Sequence, residues 1–411
     1  METGAIAFMN VNVIPMDSER ILTDQIVIVR DGIIARMGPS PSIQPPTDAY
    51  VIDAQGQFLM PGLADMHVHL REEHYLLLML ANGVTTVRNM AGTPQILEWR
   101  AQIAAGSRLG PQIFTAGPFL DEVPMYDEYN KEFETPEGAA RVVAAQKALG
   151  YDFIKVYDGL RPSSYLNIVR AAQSVNMPVV GHAPDAMTIG QVLAAGQRSI
   201  EHLDGYFGIY AEELPAAIAL TVEKEVWNCP TLIMLQRFEA IGGPCTEVQQ
   251  EILAYVPEWV RDSWYLPKDF PEHGYEYAAT HAAYCQLVRN LHEAGAHLLL
   301  GTDAPEPCAA PGFSVYHELQ NLADCGLTPF EALQTATVEA ARFLRRRDEL
   351  GTVAPGQRAD LILLAANPLE DVRNVRQQVG VMVHGQWFSR AQIEMMLAEL
   401  VRPEDTRGWH R

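Results

Sequence analysis

The sequence predicts an α/β protein: a (β/α)8 TIM barrel with a small β-sandwich domain formed from both chain ends. Three observations predict it. Strand-like patterns cluster at the two ends, and eight short apolar or β-branched runs alternate with helical stretches between them. No Gly-rich phosphate-binding turn follows the first of those runs, which favours a closed barrel over an open doubly wound sheet.

At the start, "AIAFMNVNVIPM" alternates as a half-buried strand does, and "QIVIVRDGIIARMG" reads as two strands around an Asp31-Gly32 hairpin turn. "AYVIDAQGQFLMPG" adds another strand, after the Pro-rich loop "GPSPSIQPPTD". "LGTVAPGQRADLILLAANP" and "VGVMVHGQWF" have the same character near the other end. Residues 1–60 and 350–400 therefore form the composite β-domain, with the barrel over 61–349. Its eight runs are "LADMHVH", "GVTTVRN", "PQIFTAG", "DFIKVYD", "MPVVGHA", "RSIEHLD", "EVWNCPT" and "HLLLGTD". Amphipathic stretches such as "PEGAARVVAAQKALG" and "PSSYLNIVRAAQSVN" separate them, and "AMTIGQVLAAG" ends on glycine as helices do. An aromatic and Pro-rich insertion over 237–278 interrupts the alternation and fits either a packed loop or a lid.

The totals narrow the class. The chain has 411 residues, 48% hydrophobic and 20% charged, which suits a large barrel with an appended domain. A net charge of −21 argues against nucleic acid and against anionic membranes as partners, leaving a small-molecule substrate. The opening residues lack the pattern of a signal peptide, and no apolar run approaches the ~20 residues that span a bilayer. Five cysteines, odd in number and without a Cys-x-x-Cys pair, speak against a disulfide framework or a thiolate zinc site. The expectation is a reduced, cytoplasmic protein. Barrels with paired β-domains often associate, so a homo-oligomer is compatible with the reading.

The polar residues that close the runs carry the chemistry, because barrel enzymes use the C-terminal ends of their strands. The first run gives His67 and His69, two apart and so on one face. The others give Lys155, His182, His202 and Asp303. Each alone has an ordinary explanation: a satisfied histidine, a solvated lysine, a turn aspartate. Together, at equivalent places on five strands, they indicate a metal site, since imidazole and carboxylate suit zinc and related divalent ions. Four histidines exceed what one open catalytic metal needs, so two metals share them more naturally. Lys155 fits such a cluster only if deprotonated or chemically converted, because an ammonium offers no lone pair.

The set "HVH", "IKVYDG", "GHA", "SIEHLDG" and "GTDA", in this order and between β-rich ends, resembles the amidohydrolase superfamily. The match is to metal-dependent hydrolases related to imidazolonepropionase and the prolidases, and it covers nearly the whole chain. The resemblance implies a carbamate on Lys155, formed with carbon dioxide, that bridges two metals, most often zinc, with Mn, Co or Fe as alternatives. His67, His69 and Asp303 would hold the more buried ion, and His182 and His202 the other. Imidazolonepropionase lacks this lysine and uses one metal, so Lys155 directs the expectation toward a binuclear hydrolase. Asp303 would take the water's proton and pass it to the leaving group. The implied reaction is cleavage of an amide or peptide-like bond, as in a dipeptidase or N-acyl amide hydrolase. Alternatives are a lactone, carbamate or phosphotriester hydrolase on the same site, or a mononuclear deaminase. A silent paralogue is disfavoured by the complete ligand set.

Substrate contacts are less marked. Arg71 either anchors a carboxylate or pairs with Glu72, Glu73 or a loop acid. Tyr206, Tyr210 and His317 are further candidates, each with a packing alternative. Glu201, next to His202, is expected to point away from the site by strand alternation.

Overall fold

Alternation of apolar and polar residues makes the first strands half-buried: β1 (Ile6–Val13), β2 (Leu22–Arg30) and β3 (Ile33–Pro39) form an antiparallel meander. Asp31 and Gly32 between β2 and β3 both have positive φ, 53° and 74°, as a tight hairpin turn of the primed type requires. β4 (Tyr50–Asp53) and β5 (Phe58–Pro61) then pair in parallel with opposite ends of β1. The computed structural model describes residues 4–122, 135–207, 212–234, 254–257, 260, 277–306 and 309–400.

The central strands are short, buried and parallel. β6 (Leu63–Val68), β7 (Val84–Asn89) and β8 (Gln112–Thr115) make one run. β9 (Ile154–Val156), β10 (Val179–Gly181), β11 (Ser199–Glu201), β12 (Trp227–Cys229) and β13 (His297–Leu298) make a second. Helices lie between them: α1 (Tyr75–Ala81), α2 (Pro94–Ala104), α3 (Pro136–Leu149), α4 (Pro162–Ser174), α5 (Ile189–Ala195), α6 (Leu214–Glu223) and α7 (Tyr277–Glu293). Backbone bonds join the margins of the two runs. On one side Gly117 N donates to Phe153 O at 3.1 Å and Leu120 N to Lys155 O at 2.8 Å. On the other, Met66 N donates to Leu300 O at 2.8 Å and Asp303 N to His67 O at 2.7 Å.

After α8 (Val315–Asp324), α9 (Pro329–Thr335) and α10 (Val338–Phe343), the chain returns to the first sheet as β14 (Leu361–Leu364), β15 (Gln378–Val383) and β16 (Gln386–Ser389), followed by α11 (Arg390–Leu400). β5 bonds to both β1 and β14, so the two chain ends are welded into one sheet path, β16-β15-β14-β5-β1-β2-β3. β4 pairs with β1 off this path.

Packing sorts the central strand residues by side. Ile154, Val156, Val179 and Ile200 join the main core with helix residues such as Val143, Ile168 and Val192. Their neighbours Phe153 and Val180 turn the other way, into a separate cluster with Met66, Trp227, Leu299 and Phe343. Phe343 of α10 lies 5.8 Å from the Phe153 ring and 5.5 Å from Trp227, ring centre to ring centre. This alternation aims Lys155 and Glu201, flanking outward-facing residues, at the space the strands share.

One expectation changes. Cys285 of α7 and Cys325, just beyond α8, form a disulfide across 40 residues of sequence, because packing brings α7 and α8 together. A count of cysteines does not reveal that proximity. The insertion over 237–278 lies outside the described residues apart from 254–257, 260 and the start of α7. No helix among the described residues is long and apolar enough to cross a membrane.

Candidate metal centre

Val68 packs into the main core, so His67 and His69 on either side of it turn together toward the C-terminal ends of the parallel strands. Lys155 stands in the middle of β9, and His182 directly follows β10. Gly181 makes that approach possible: a Cβ there would sit 2.2 Å from Val156 O, and its φ is +128°. Gly301 serves the last strand segment likewise, since a Cβ would meet Cys229 Sγ at 2.3 Å and His67 Cβ at 2.7 Å. His202 and Asp303 both leave their strands with left-handed backbone, φ 58° and 56°. Such strain in non-glycine residues gathers where side-chain placement matters.

The six residues face one another. His67 Nε2 and His69 Nε2 lie 3.2 and 2.9 Å from Asp303 Oδ1, and His202 Nε2 lies 3.9 Å from Asp303 Oδ2. The His67 and His202 rings are 4.7 Å apart, and those of His182 and His202 4.8 Å. His67, His69 and Asp303 each bring a potential ligand atom within 4.8 Å of the others. His67 Nε2 and Asp303 Oδ1 are buried without an aligned hydrogen bond. Such orphans cost about 1–3 kcal/mol each, a cost that coordination of a cation removes. The donor set fits a divalent metal. His67, Glu201 and Cys229 also converge, but Arg88 already holds the Glu201 carboxylate, which disfavours a cation there.

Hydrogen bonds fix which histidine nitrogens are free. Thr231 Oγ1 gives its proton to Pro230 O at 2.8 Å, so at 2.7 Å it accepts from His202 Nδ1. His67 Nδ1 lies 2.9 Å from Glu201 Oε2, and His182 Nδ1 2.9 Å from Asp204 Oδ2. His202 therefore carries a proton on Nδ1 with Nε2 left for a ligand, and the carboxylates of Glu201 and Asp204 stand where acceptors for Nδ1 protons of His67 and His182 would, the arrangement metal-binding histidines use.

Burial governs the charges. It holds His69 down at about 4 and His202 at about 3, and His182 well below its ordinary value, so these rings are neutral. Burial likewise pushes the Lys155 ammonium down. Lys155 has no hydrogen bond or ion pair among the described residues, only the Tyr157 ring 5.8 Å away. Burial works against ionisation of Asp303, but the adjacent His67 and the contacts from His67 and His69 hold its carboxyl well below the usual range.

Several residues differ from expectation. Glu201 points into the site rather than away, because Ile200 is the β11 residue that faces the helices and His202 lies beyond the strand end. Asp204 and Thr231 contact ring nitrogens and went unnoticed in the sequence, where both look like turn residues. Arg71 pairs with a loop acid, Glu306, at 3.0 Å. Tyr206 is buried, and its hydroxyl donates at 2.7 Å to Thr221 of α6. His317 is half-buried in the first turn of α8. Tyr210 lies outside the described residues.

Comparison with known proteins adds the family. The sequence model described as "Amidohydrolase family" matches residues 58–388. An adenine deaminase of Ruegeria sp. (strain TM1040) is 23% identical over 95% of this chain, and the match spans 58% of that protein's length. An imidazolonepropionase of Deinococcus deserti is 25% identical over 85% of this chain and 88% of its own. The crystal structure of a Xaa-Pro dipeptidase with bound methionine superposes with a TM-score of 0.73 at 22% identity, covering 94% of this chain and all of the other.

Proposed function

The chain belongs to the amidohydrolase family, and from that premise we propose that it is a metal-dependent hydrolase that cleaves an amide or peptide-like C–N bond in a small substrate. One observation supports the reading: His67, His69, His182, His202 and Asp303 lie side by side, and Lys155 is buried with no hydrogen bond or ion pair among the described residues, its charge felt by His67 and His182. We take the two parallel runs as one (β/α)8 barrel, their margins joined by the bonds from Met66 to Leu300 and from Gly117 to Phe153.

His67, His69 and Asp303 would hold one divalent ion and His182 and His202 a second, with zinc the first choice and Mn, Co or Fe compatible with the same donors. Lys155, whose ammonium form burial disfavours, would in its neutral amine form add carbon dioxide: its nitrogen bonds to the carbon and releases a proton, giving a carbamate that could serve as a ligand to the ions. When bound, such ions supply a water acidic enough to attack at neutral pH and a Lewis-acid pull on the scissile carbonyl. Asp303 would accept the proton of the attacking water and return it to the leaving nitrogen. The neutral rings of His69, His182 and His202 keep their lone pairs available throughout. Thr231 behind His202 and Asp204 behind His182 hold those two rings in place.

A mononuclear deaminase is the second reading. It is favoured by the tight grouping of His67, His69 and Asp303 alone, which would hold a single ion. Against it stands "GHAPDAM", where only Asp185 follows His182 and deaminases of the superfamily commonly place a glutamate. Lactones, carbamates and phosphotriesters answer to the same chemistry as amides. A panel of dipeptides, N-acyl amino acids, lactones and aminated heterocycles tests the assignment. Amide turnover that chelation abolishes and added zinc restores supports it, and ammonia release from heterocycles alone contradicts it.

A further inference from the structure

Arg88, Ser199 and Glu201 form a buried polar cluster directly behind His67, all three at 0–1% exposure or less. Arg88 Nη2 donates to Glu201 Oε2 at 2.8 Å, and Arg88 Nη1 to Ser199 Oγ at 2.9 Å. Ser199 Oγ in turn donates to Glu201 Oε1 at 2.6 Å. Both carboxylate oxygens are thus fixed, and Oε2 is left facing His67 Nδ1 at 2.9 Å. Arg88 Nε also donates to Met66 O, the carbonyl just before His67. The guanidinium therefore grips both the backbone that carries His67 and the carboxylate that orients its ring.

We propose that Glu201 is the positioning residue of His67: Arg88 and Ser199 clamp its carboxylate so that His67 keeps its proton on Nδ1 and presents Nε2 to the metal beside Asp303. Fold stability alone is a poor reason for this cluster. A buried ion pair is often no more stabilising than apolar residues of similar volume, and the surrounding cluster of Met66, Phe153, Trp227 and Phe343 is apolar. What the pair supplies is direction. Three different strands, β7, β11 and β6, contribute to it, so the ring orientation is tied to their register.

The inference rests on the metal-centre reading, and the experiment separates the two. Metal-free protein is titrated with Co(II), and the dissociation constants are read by chelator competition alongside the visible absorption of the bound ion. Wild type, Glu201→Gln, Ser199→Ala and Asp204→Asn are compared, with thermal unfolding of each metal-free protein as the structural readout. Glu201→Gln is expected to weaken the site of His67 by 10–100-fold and to shift its absorption. Asp204→Asn should instead weaken the site of His182. Ser199→Ala, which keeps the ion pair, should weaken the His67 site to a smaller degree and decides the matter if Glu201→Gln does not fold. Wild-type affinity and spectrum in the Glu201 variant, or in Ser199→Ala if the former is lost, overturn the proposal and leave Glu201 as a structural partner of Arg88. Failure of the wild type to bind Co(II) would sink the metal-centre reading itself.

Discussion

Asp204 Oδ2 lies 2.9 Å from His182 Nδ1, and the centre of the His202 ring is 4.8 Å from that of His182. The Tyr157 ring covers one face of the same imidazole at 4.0 Å. The carboxylate and the aromatic plate together restrict how the His182 ring can turn.

Asp204→Asn keeps the shape but weakens the acceptor, so it should reduce metal retention by 10–100-fold. Equilibrium dialysis against a chelator, followed by elemental analysis, checks it.

Asp303 carries both ligation and proton transfer in this account. Asp303→Asn should lower kcat by at least 10²–10⁴-fold, the range of general acid–base catalysis, with no equivalent rise in KM. Steady-state kinetics on the substrate found in the panel decide this.

Phe343 is 2% exposed and packs against Phe153, Trp227 and the Arg88 guanidinium, 4.9 Å away. Phe343→Ala should cost about 3–5 kcal/mol, the usual penalty for truncating a buried aromatic residue. Urea unfolding of the metal-free protein measures it.

Burial raises two acids far from their ordinary values: Glu318 to about 8, although it accepts from the backbone of Leu232 and Ile233, and Asp65 to about 7. The folded chain then holds more protons than the unfolded one between their ordinary values of 4.5 and 3.8 and those raised values. The stabilisation is therefore complete below pH ~4 and lost as pH rises through 7 to 8. Glu318→Gln should flatten that decline, and stability curves at pH 5 and pH 8 for both proteins test it.

The sequence makes the six clustered residues legible because each ends an apolar run with a group that has metal chemistry. The alternating β-patterns at both ends likewise foretell strands, since burial on one face dictates every second residue. What supports the cluster is harder to read. Glu201 is misjudged because His202 leaves β11 through a left-handed turn, which breaks the alternation on which the expectation rests. Asp204 and Thr231 resemble turn residues, and their partners come from other segments. Arg88 looks like an ordinary arginine in "TTVRN" until β7 and β11 lie in the same interior. Cys285 and Cys325 meet only because α7 packs on α8.

The central claim is a two-metal centre that depends on Lys155. Metal content per chain, measured by elemental analysis on wild type and Lys155→Ala prepared side by side, tests it most directly. The account predicts about two divalent ions in the wild type and one or fewer in the variant. One ion in both proteins would contradict it, remove Lys155 from the centre and bring the mononuclear reading forward.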